Sequence, residues 1–134
     1  MTRATGTFDV TLVPLEQHEA AVGRMSIEKQ FRGDLDATSA GEMLAAMTDV
    51  EGSAGYVAME RVSGTLHGRS GAFVLQHSGT MTRGAPELSV TVVPDSGSGQ
   101  LAGLVGSMAI NIVDGAHFYD FEYTLAAAAG TTAG

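Results

Sequence analysis

Apolar and polar residues alternate along nearly the whole chain. Between positions 7 and 12, Phe8, Val10 and Leu12 alternate with threonine and aspartate, a period of two that is typical of β-strands with one buried face. The same alternation recurs in the segments 25–35, 73–81, 87–92, 107–112 and 119–125. About seven or eight strands at roughly ten-residue spacing, joined by short turns, predict an antiparallel meander.

Turn-forming residues separate these runs. HGRSG at 67–71 and VDGAH at 113–117 each predict a tight hairpin, the second because Asp-Gly is a favoured two-residue turn. The segment 14–23 is expected to be a polar excursion between the first two strands. Because an eight-stranded sheet of this length can close and so remove its edges, we predict an all-β fold. It is a closed eight-stranded antiparallel up-and-down barrel over residues 1–125, with a flexible tail at 126–134.

Residues 41–48 allow two interpretations. Residues 42–47 are good helix formers, and Ser39 precedes Glu42 by three positions, as in a capping box. Met43, Ala45 and Met47 also fit the inward face of a strand. The residues by themselves leave helix and strand open.

Composition narrows the classes of function. The 134 residues suffice for one domain, and the lack of cysteine excludes thiolate catalysis, iron–sulfur clusters and cysteine-ligated zinc. Fifteen acidic against seven basic residues give a net charge of −8, which repels nucleic acid and anionic lipid. No signal-peptide pattern and no long apolar run is present, so we expect a cytoplasmic protein with no nucleic-acid or membrane partner.

The glycine-rich stretch VVPDSGSGQLAGLVGSM at 92–108 matches the loose dinucleotide fingerprint GxGxxA at Gly97, Gly99 and Ala102. That fingerprint requires a helix immediately afterwards to hold the pyrophosphate. Here the next periodic segment, 107–113, alternates with period two. We therefore expect these glycines to form a strand-to-strand corner, and we predict no cofactor.

Several segments together resemble a known superfamily. SGSGQLAGLVGSM is similar to the glycine-rich corner of the allene oxide cyclase and dirigent protein superfamily, and QFRGDLDATSAGEML is similar to a cyclase segment. GTLHGRSGAFVLQHSGTM and VVPDSGSGQLAGLVG, in that order, resemble a bacterial family of small barrels of unknown function in the same superfamily, over residues 5–125. The resemblance implies a closed barrel, often dimeric or trimeric, around a mostly apolar cavity, and it favours strand for 41–48.

The resemblance does not carry over the cyclase chemistry. The cyclases have a cysteine two positions after an Ala-Gly step, and here Met43 occupies that position after Ala40 and Gly41. The glutamate and asparagine of the cyclases' first strand have no match at the level of a motif.

Three polar residues interrupt the apolar face of the predicted strands. Lys29, Glu60 and His77 all lie in register with inward-facing apolar residues. Because burying a lysine and a glutamate separately costs several kcal/mol each, we expect a Lys29–Glu60 pair. Two alternatives to a functional role remain: the pair is purely structural, or the register slips at a bulge near Gly33 or Gly64. His77 either donates to a nearby backbone carbonyl or is influenced by these charges.

Two classes of function follow. In the first, the cavity is an active site for isomerising or cyclising a small apolar molecule, with Glu60 and His77 as general acid or base and Tyr119 binding a substrate oxygen. In the second, the barrel is a non-catalytic carrier or sensor, or a solid barrel that assembles into oligomers. The expected ligand-binding residues are Lys29, Phe31, Met43, Phe73, Tyr119 and Phe121.

The remaining histidines and the methionines add little. His67 is expected in a turn and His117 facing solvent, and the spacing of His67, His77 and His117 does not predict a metal site. Methionines are an adaptable lining for a cavity and equally common in packed cores. Those considered as lining are Met25, Met43, Met47, Met59, Met81 and Met108.

Overall fold

The computed structural model describes residues 1–15 and 22–125. The expected polar excursion at 14–23 falls largely on residues 16–21, and the expected tail on 126–134; both stretches lie outside the described residues. The strands are β1 (Thr2–Pro14), β2 (Val22–Gly33), β3 (Leu35–Met47), β4 (Ala54–Leu66), β5 (Arg69–Thr82), β6 (Ala85–Val92), β7 (Ser98–Gly99), β8 (Leu104–Val113) and β9 (Ala116–Leu125). Across these described stretches there is no helix that is long and apolar enough to span a membrane.

Eight long strands close into an antiparallel barrel, as predicted. Around the barrel their order is β1, β2, β3, β4, β5, β6, β8 and β9, and β9 pairs back with β1. The two-residue strand β7 adds to the end of β5. Registered pairing between β6 and β8 is limited to Thr91 with Ser107, so the sheet is least tightly joined there.

Residues 41–47 are strand. Met43 lies opposite Met25 of β2 and Ala58 of β4, and Ala45 lies opposite Tyr56. Strands on both sides supply hydrogen-bond partners for this segment, and its inward face has apolar neighbours. Tertiary pairing therefore overrides the helix propensity of these residues.

The predicted hairpins are present. His67 and Gly68 have φ of 48° and 80°, and Asp114 and Gly115 have φ of 50° and 82°. Two successive positive φ values are those of a type I′ turn, whose twist matches that of the adjoining strands. His67 is therefore a turn residue, as expected.

The barrel has two unlike ends. The closed end carries the connections at 33–34, 67–68 and 93–103, and the open end carries those at 48–53, 83–84 and 114–115. The glycine-rich stretch is a corner at the closed end, as predicted, and its Leu101 is buried in the core. Gly97 is required there because a Cβ at this position would lie 2.0 Å from the carbonyl oxygen of Leu101.

The hydrophobic core occupies the closed half of the barrel. Phe73 and Phe121 stack with their ring centroids 5.9 Å apart. Phe31 packs edge-on to Tyr119, and Leu35 and Leu66 are buried beside the turns. Close packing therefore ends partway along the barrel, and above it the inward face includes buried polar side chains.

Candidate functional site

Four adjacent strands bring polar side chains together inside the barrel, above the core. Lys29 comes from β2, Ser39 from β3, Glu60 from β4 and His77 from β5. All four are buried, and Glu60 is only 1% exposed. Gly41 lies opposite Glu60 in the register. We call Lys29, Ser39, Glu60 and His77 the polar cluster.

Glu60 is the centre of the polar cluster. Its Oε1 accepts a hydrogen bond from Lys29 Nζ at 2.8 Å and pairs with His77 Nε2 at 2.6 Å. Its Oε2 accepts a hydrogen bond from Ser39 Oγ at 2.6 Å. The expected Lys29–Glu60 ion pair is therefore present, and His77 lies beside these charges, which is one of its two expected environments. The contact of Ser39 with Glu60 was not expected.

The surroundings of Glu60 fix its ionisation. Burial alone would raise the pKa of this carboxyl, but the hydrogen bond from His77, the charge and hydrogen bond of Lys29 and the hydrogen bond from Ser39 together lower the pKa from 4.5 to about 2. Glu60 is thus a carboxylate at neutral pH and has no proton to donate. Its carboxylate balances the charge of Lys29 and accepts hydrogen bonds at the centre of the polar cluster.

Lys29 keeps unused hydrogen-bonding capacity. An ammonium group has three N–H donors, and within the described part of the chain Nζ makes one hydrogen bond, to Glu60. The ammonium lies 4.8 Å from the centroid of the Phe8 ring and 5.7 Å from that of Phe31, so cation–π attraction helps to hold it. Two N–H donors are left for an oxygen acceptor.

A cavity reaches the polar cluster from the open end. It has a volume of about 270 Å³ and is called the inner cavity below. Its lining consists of Phe8, Val10, Leu12, Ile27, Lys29, Met43, Tyr56, Ala58, His77, Leu88, Ile110, Ile112 and His117. Lys29 and His77 are at its base because they are buried, whereas Leu12 and Ile112 near the open end are 46% and 65% exposed.

A second, wider cavity of about 470 Å³ adjoins the first and is called the mouth. The two share Met43, Tyr56, Leu88 and Ile112. The rest of the mouth is also mainly apolar, with Met47, Met81 and Pro86 among its lining residues. An apolar funnel thus leads from the open end to a polar base.

The structure places the site residues predicted from the sequence in two different regions, the inner cavity and the hydrophobic core. Lys29, Met43 and His77 line the inner cavity, and Glu60 lies behind Lys29 and His77. Four aromatic residues belong to the core below, and none is in the lining of the inner cavity or the mouth. They are Phe31, Phe73, Tyr119 and Phe121.

Tyr119 has a structural environment. Its hydroxyl donates a hydrogen bond to the carbonyl of Arg32 at 2.9 Å and accepts one from the backbone N–H of Leu35 at 2.9 Å. These bonds fasten the β2–β3 turn at the closed end. Burial raises the pKa of this phenol, which therefore stays protonated.

Two expectations were wrong. Met59 does not face the interior, because it lies on the outer surface of β4 and is 50% exposed. His117 does not simply face solvent, because its ring lies 5.0 Å from that of Phe8 and lines the inner cavity. His67 pairs with the hydroxyl of Tyr123 at the closed end. In residues 1–15 and 22–125 no three histidine or carboxylate side chains are grouped so as to hold a metal ion.

Phe8, Ser39 and Tyr56 are site residues that the sequence reasoning missed. Ser39 lies on the same strand face as Leu35 and Ala37, so its interruption of an apolar register was the available signal. It was obscured by the alternative role of Ser39 as a helix cap. Burial and the charge of Glu60 raise the pKa of Tyr56, which is therefore a neutral phenol on the cavity wall.

Comparison with known protein families and solved structures identifies relatives of this chain. The model of DUF3224, a family of proteins of unknown function, matches residues 4–123. A crystal structure of a DUF3224 protein of unknown function from Shewanella oneidensis MR-1 is 54% identical, with 93% of this chain and 97% of that chain covered and a TM-score of 0.89. No curated protein matches the chain. The chain belongs to the DUF3224 family.

Proposed function

We propose that the barrel binds a small, mostly apolar organic molecule in the inner cavity, with its polar end against Lys29 and His77. The observation that carries this proposal is the buried polar cluster at the base of an otherwise apolar, open cavity. Ligand sites commonly combine an apolar lining with a few convergent polar groups. A buried ion pair is weak support for stability, since apolar replacements are often at least as stable, so a role in recognition accounts for it better.

Binding is tested with N-phenyl-1-naphthylamine, an uncharged probe whose fluorescence rises in apolar surroundings. Ala58→Leu fills the inner cavity, because Ala58 is buried in its wall. Val57→Leu is the matched control, since Val57 is the neighbouring residue on the outer face and is exposed. We expect the wild type and the control to bind the probe and Ala58→Leu to bind at least about tenfold more weakly. Lack of binding by the wild type, or equal binding by a folded Ala58→Leu, would contradict the proposal.

Catalysis is the second candidate, and one observation favours it. Glu60 holds Nε2 of His77, so that the imidazole is oriented by a carboxylate while its other nitrogen, Nδ1, has no hydrogen-bond partner within the described residues. A base held in this way is a recurring arrangement in active sites. His77 would take a proton from the carbon beside a carbonyl group and return it to another carbon, which completes an isomerisation without a redox cofactor.

In this candidate Lys29 stabilises the oxygen on which negative charge develops. Tyr119 was the sequence-based choice for that contact, but its hydroxyl is engaged by the backbone at the closed end. Incubation of acetophenone in D₂O tests the idea, since a general base at the site accelerates deuterium incorporation into the methyl group. We expect His77→Ala to abolish the acceleration and the outer-face control Val57→Leu to keep it. Equal incorporation with and without the wild-type protein would refute the catalytic candidate.

We also propose that the barrel belongs to the allene oxide cyclase-like superfamily and assembles as a dimer or trimer. Support for assembly comes from the outer face, where the cross-strand partners Leu44 and Val57 and the adjacent Met59 are all about half exposed. An apolar outer patch of this kind is typical of an interface. Light scattering in solution tests the assembly, and a monomer at micromolar concentration would contradict it.

A further inference from the structure

We infer that the molecule bound in the inner cavity carries an uncharged oxygen acceptor, such as a carbonyl, at its buried end, and that a carboxylate of the same shape is excluded. This inference rests on the proposed binding function and adds the chemical class of the ligand. It follows from the hydrogen-bond donors at the cavity base and from the charge balance of the polar cluster.

The donors explain the oxygen. Lys29 Nζ donates one hydrogen bond to Glu60 and lies over the Phe8 ring at the cavity wall. A hydrocarbon that fills the inner cavity leaves the other two N–H groups unpaired, whereas a carbonyl oxygen accepts from one of them. Sites built to hydrogen-bond a ligand discriminate strongly against analogues that lack the partner.

The charge balance explains why that oxygen is uncharged. The carboxylate of Glu60 and the ammonium of Lys29 cancel each other, and both side chains are at most 6% exposed. The other titratable groups nearby are His77 and Tyr56 beside Glu60, and His117 beside Phe8. Among the residues that the structure describes, no lysine or arginine other than Lys29 lines the inner cavity, so a bound carboxylate adds a negative charge to a buried site with no further cation to balance it, which is costly. The net charge of −8 also opposes the approach of anions.

Three probes of nearly the same shape separate these effects: ethylbenzene, acetophenone and benzoate. Their affinities are measured by displacement of N-phenyl-1-naphthylamine at pH 8. For the wild type we expect acetophenone to bind about tenfold more tightly than ethylbenzene. Benzoate should bind at least about a hundredfold more weakly than acetophenone.

The matched variant is the double substitution Lys29→Met with Glu60→Gln, which removes both charges together and leaves no buried ion unpaired. We expect it to lose the preference for acetophenone over ethylbenzene. Met59→Ala, on the outer face of β4, should leave all three affinities unchanged. Should the double variant fail to fold, the ranking of the three probes by the wild type still decides.

The outcomes separate the two proposals. Equal binding of ethylbenzene and acetophenone by the wild type, or tightest binding of benzoate, overturns the inference and leaves the binding function intact. A double variant that still prefers acetophenone also overturns it, since Lys29 then cannot be the donor. If none of the probes enters the wild-type cavity, the proposed function itself fails.

Discussion

Glu60→Gln is the substitution for which the structure gives the largest expected effect. It removes the carboxylate that Lys29, Ser39 and His77 all contact. It also leaves the Lys29 ammonium buried without a counter-ion. Removal of one partner from a buried ion pair destabilises a protein by about 3–5 kcal/mol, which is a large part of the roughly 5–15 kcal/mol that holds a domain folded.

The lowered pKa gives an independent value of similar size. The pKa of Glu60 falls from 4.5 to about 2 in the folded protein. Each pKa unit corresponds to about 1.4 kcal/mol, so the surroundings of the ionised carboxylate contribute about 3 kcal/mol. Because the folded-state pKa is the lower one, this contribution is complete above pH 4.5 and is lost as the pH falls toward 2. About 2 kcal/mol of it should be lost between pH 6 and pH 3.

Urea unfolding followed by far-ultraviolet circular dichroism measures both effects. The matched control is Glu42→Gln on β3, which breaks an exposed ion pair between Glu42 (side chain 60% exposed) and Arg24 (47% exposed). This substitution should lower the free energy of unfolding by less than about 1 kcal/mol. The difference in unfolding free energy between wild type and Glu60→Gln should shrink below pH 4.5, while the difference for Glu42→Gln stays small. If Glu60→Gln costs no more than Glu42→Gln, the energetic description of the polar cluster is wrong.

Three further predictions concern the framework of the site. Tyr119→Phe leaves the buried N–H of Leu35 without its acceptor and should cost about 1–3 kcal/mol in urea unfolding without changing probe binding; weakened binding would mean that Tyr119 reaches the ligand. Gly97→Ala places a Cβ 2.0 Å from a carbonyl oxygen and should lower the free energy of unfolding by about 2 kcal/mol. The control Gly23→Ala, whose Cβ would have nothing within 4 Å, should change it by less than about 0.5 kcal/mol. Equal effects of the two substitutions would disprove the close approach at Gly97. Leu101→Ala should cost about 2–5 kcal/mol by calorimetry or urea, and a neutral result would show that the closed end does not depend on this side chain.

Much of the fold could be predicted because a barrel imposes a simple pattern. Every long strand has one face inside, so alternation along β1, β5 and β9 directly marks the interior. The same rule identified Lys29, Glu60 and His77, since a charged residue in an apolar register is easily recognised. Register is the reason for this success, because a shift by one residue would place all three outside.

The rest depends on contacts between strands, which the sequence does not record. Alternation shows that Phe31, Phe73 and Phe121 face inward, but not that they lie in the packed half while Phe8 and Tyr56 lie at the cavity. Depth along the barrel follows from the stagger of neighbouring strands, and that stagger is set by turn geometry. For the same reason the hydrogen bonds of Tyr119 to the β2–β3 turn could not be foreseen.

Binding of a small molecule inside the barrel is tested most directly by a methionine methyl NMR titration with acetophenone. Met43 lines both the inner cavity and the mouth, Met47 and Met81 line the mouth alone, and Met59 on the outer face is the internal control. Ring currents of a bound aromatic molecule should shift the Met43 signal most, the Met47 and Met81 signals less and the Met59 signal not at all. A saturating shift of Met43 is the predicted result. An unshifted Met43, or equal shifts of Met43 and Met59, would contradict the central claim that the barrel takes a small molecule against its polar cluster.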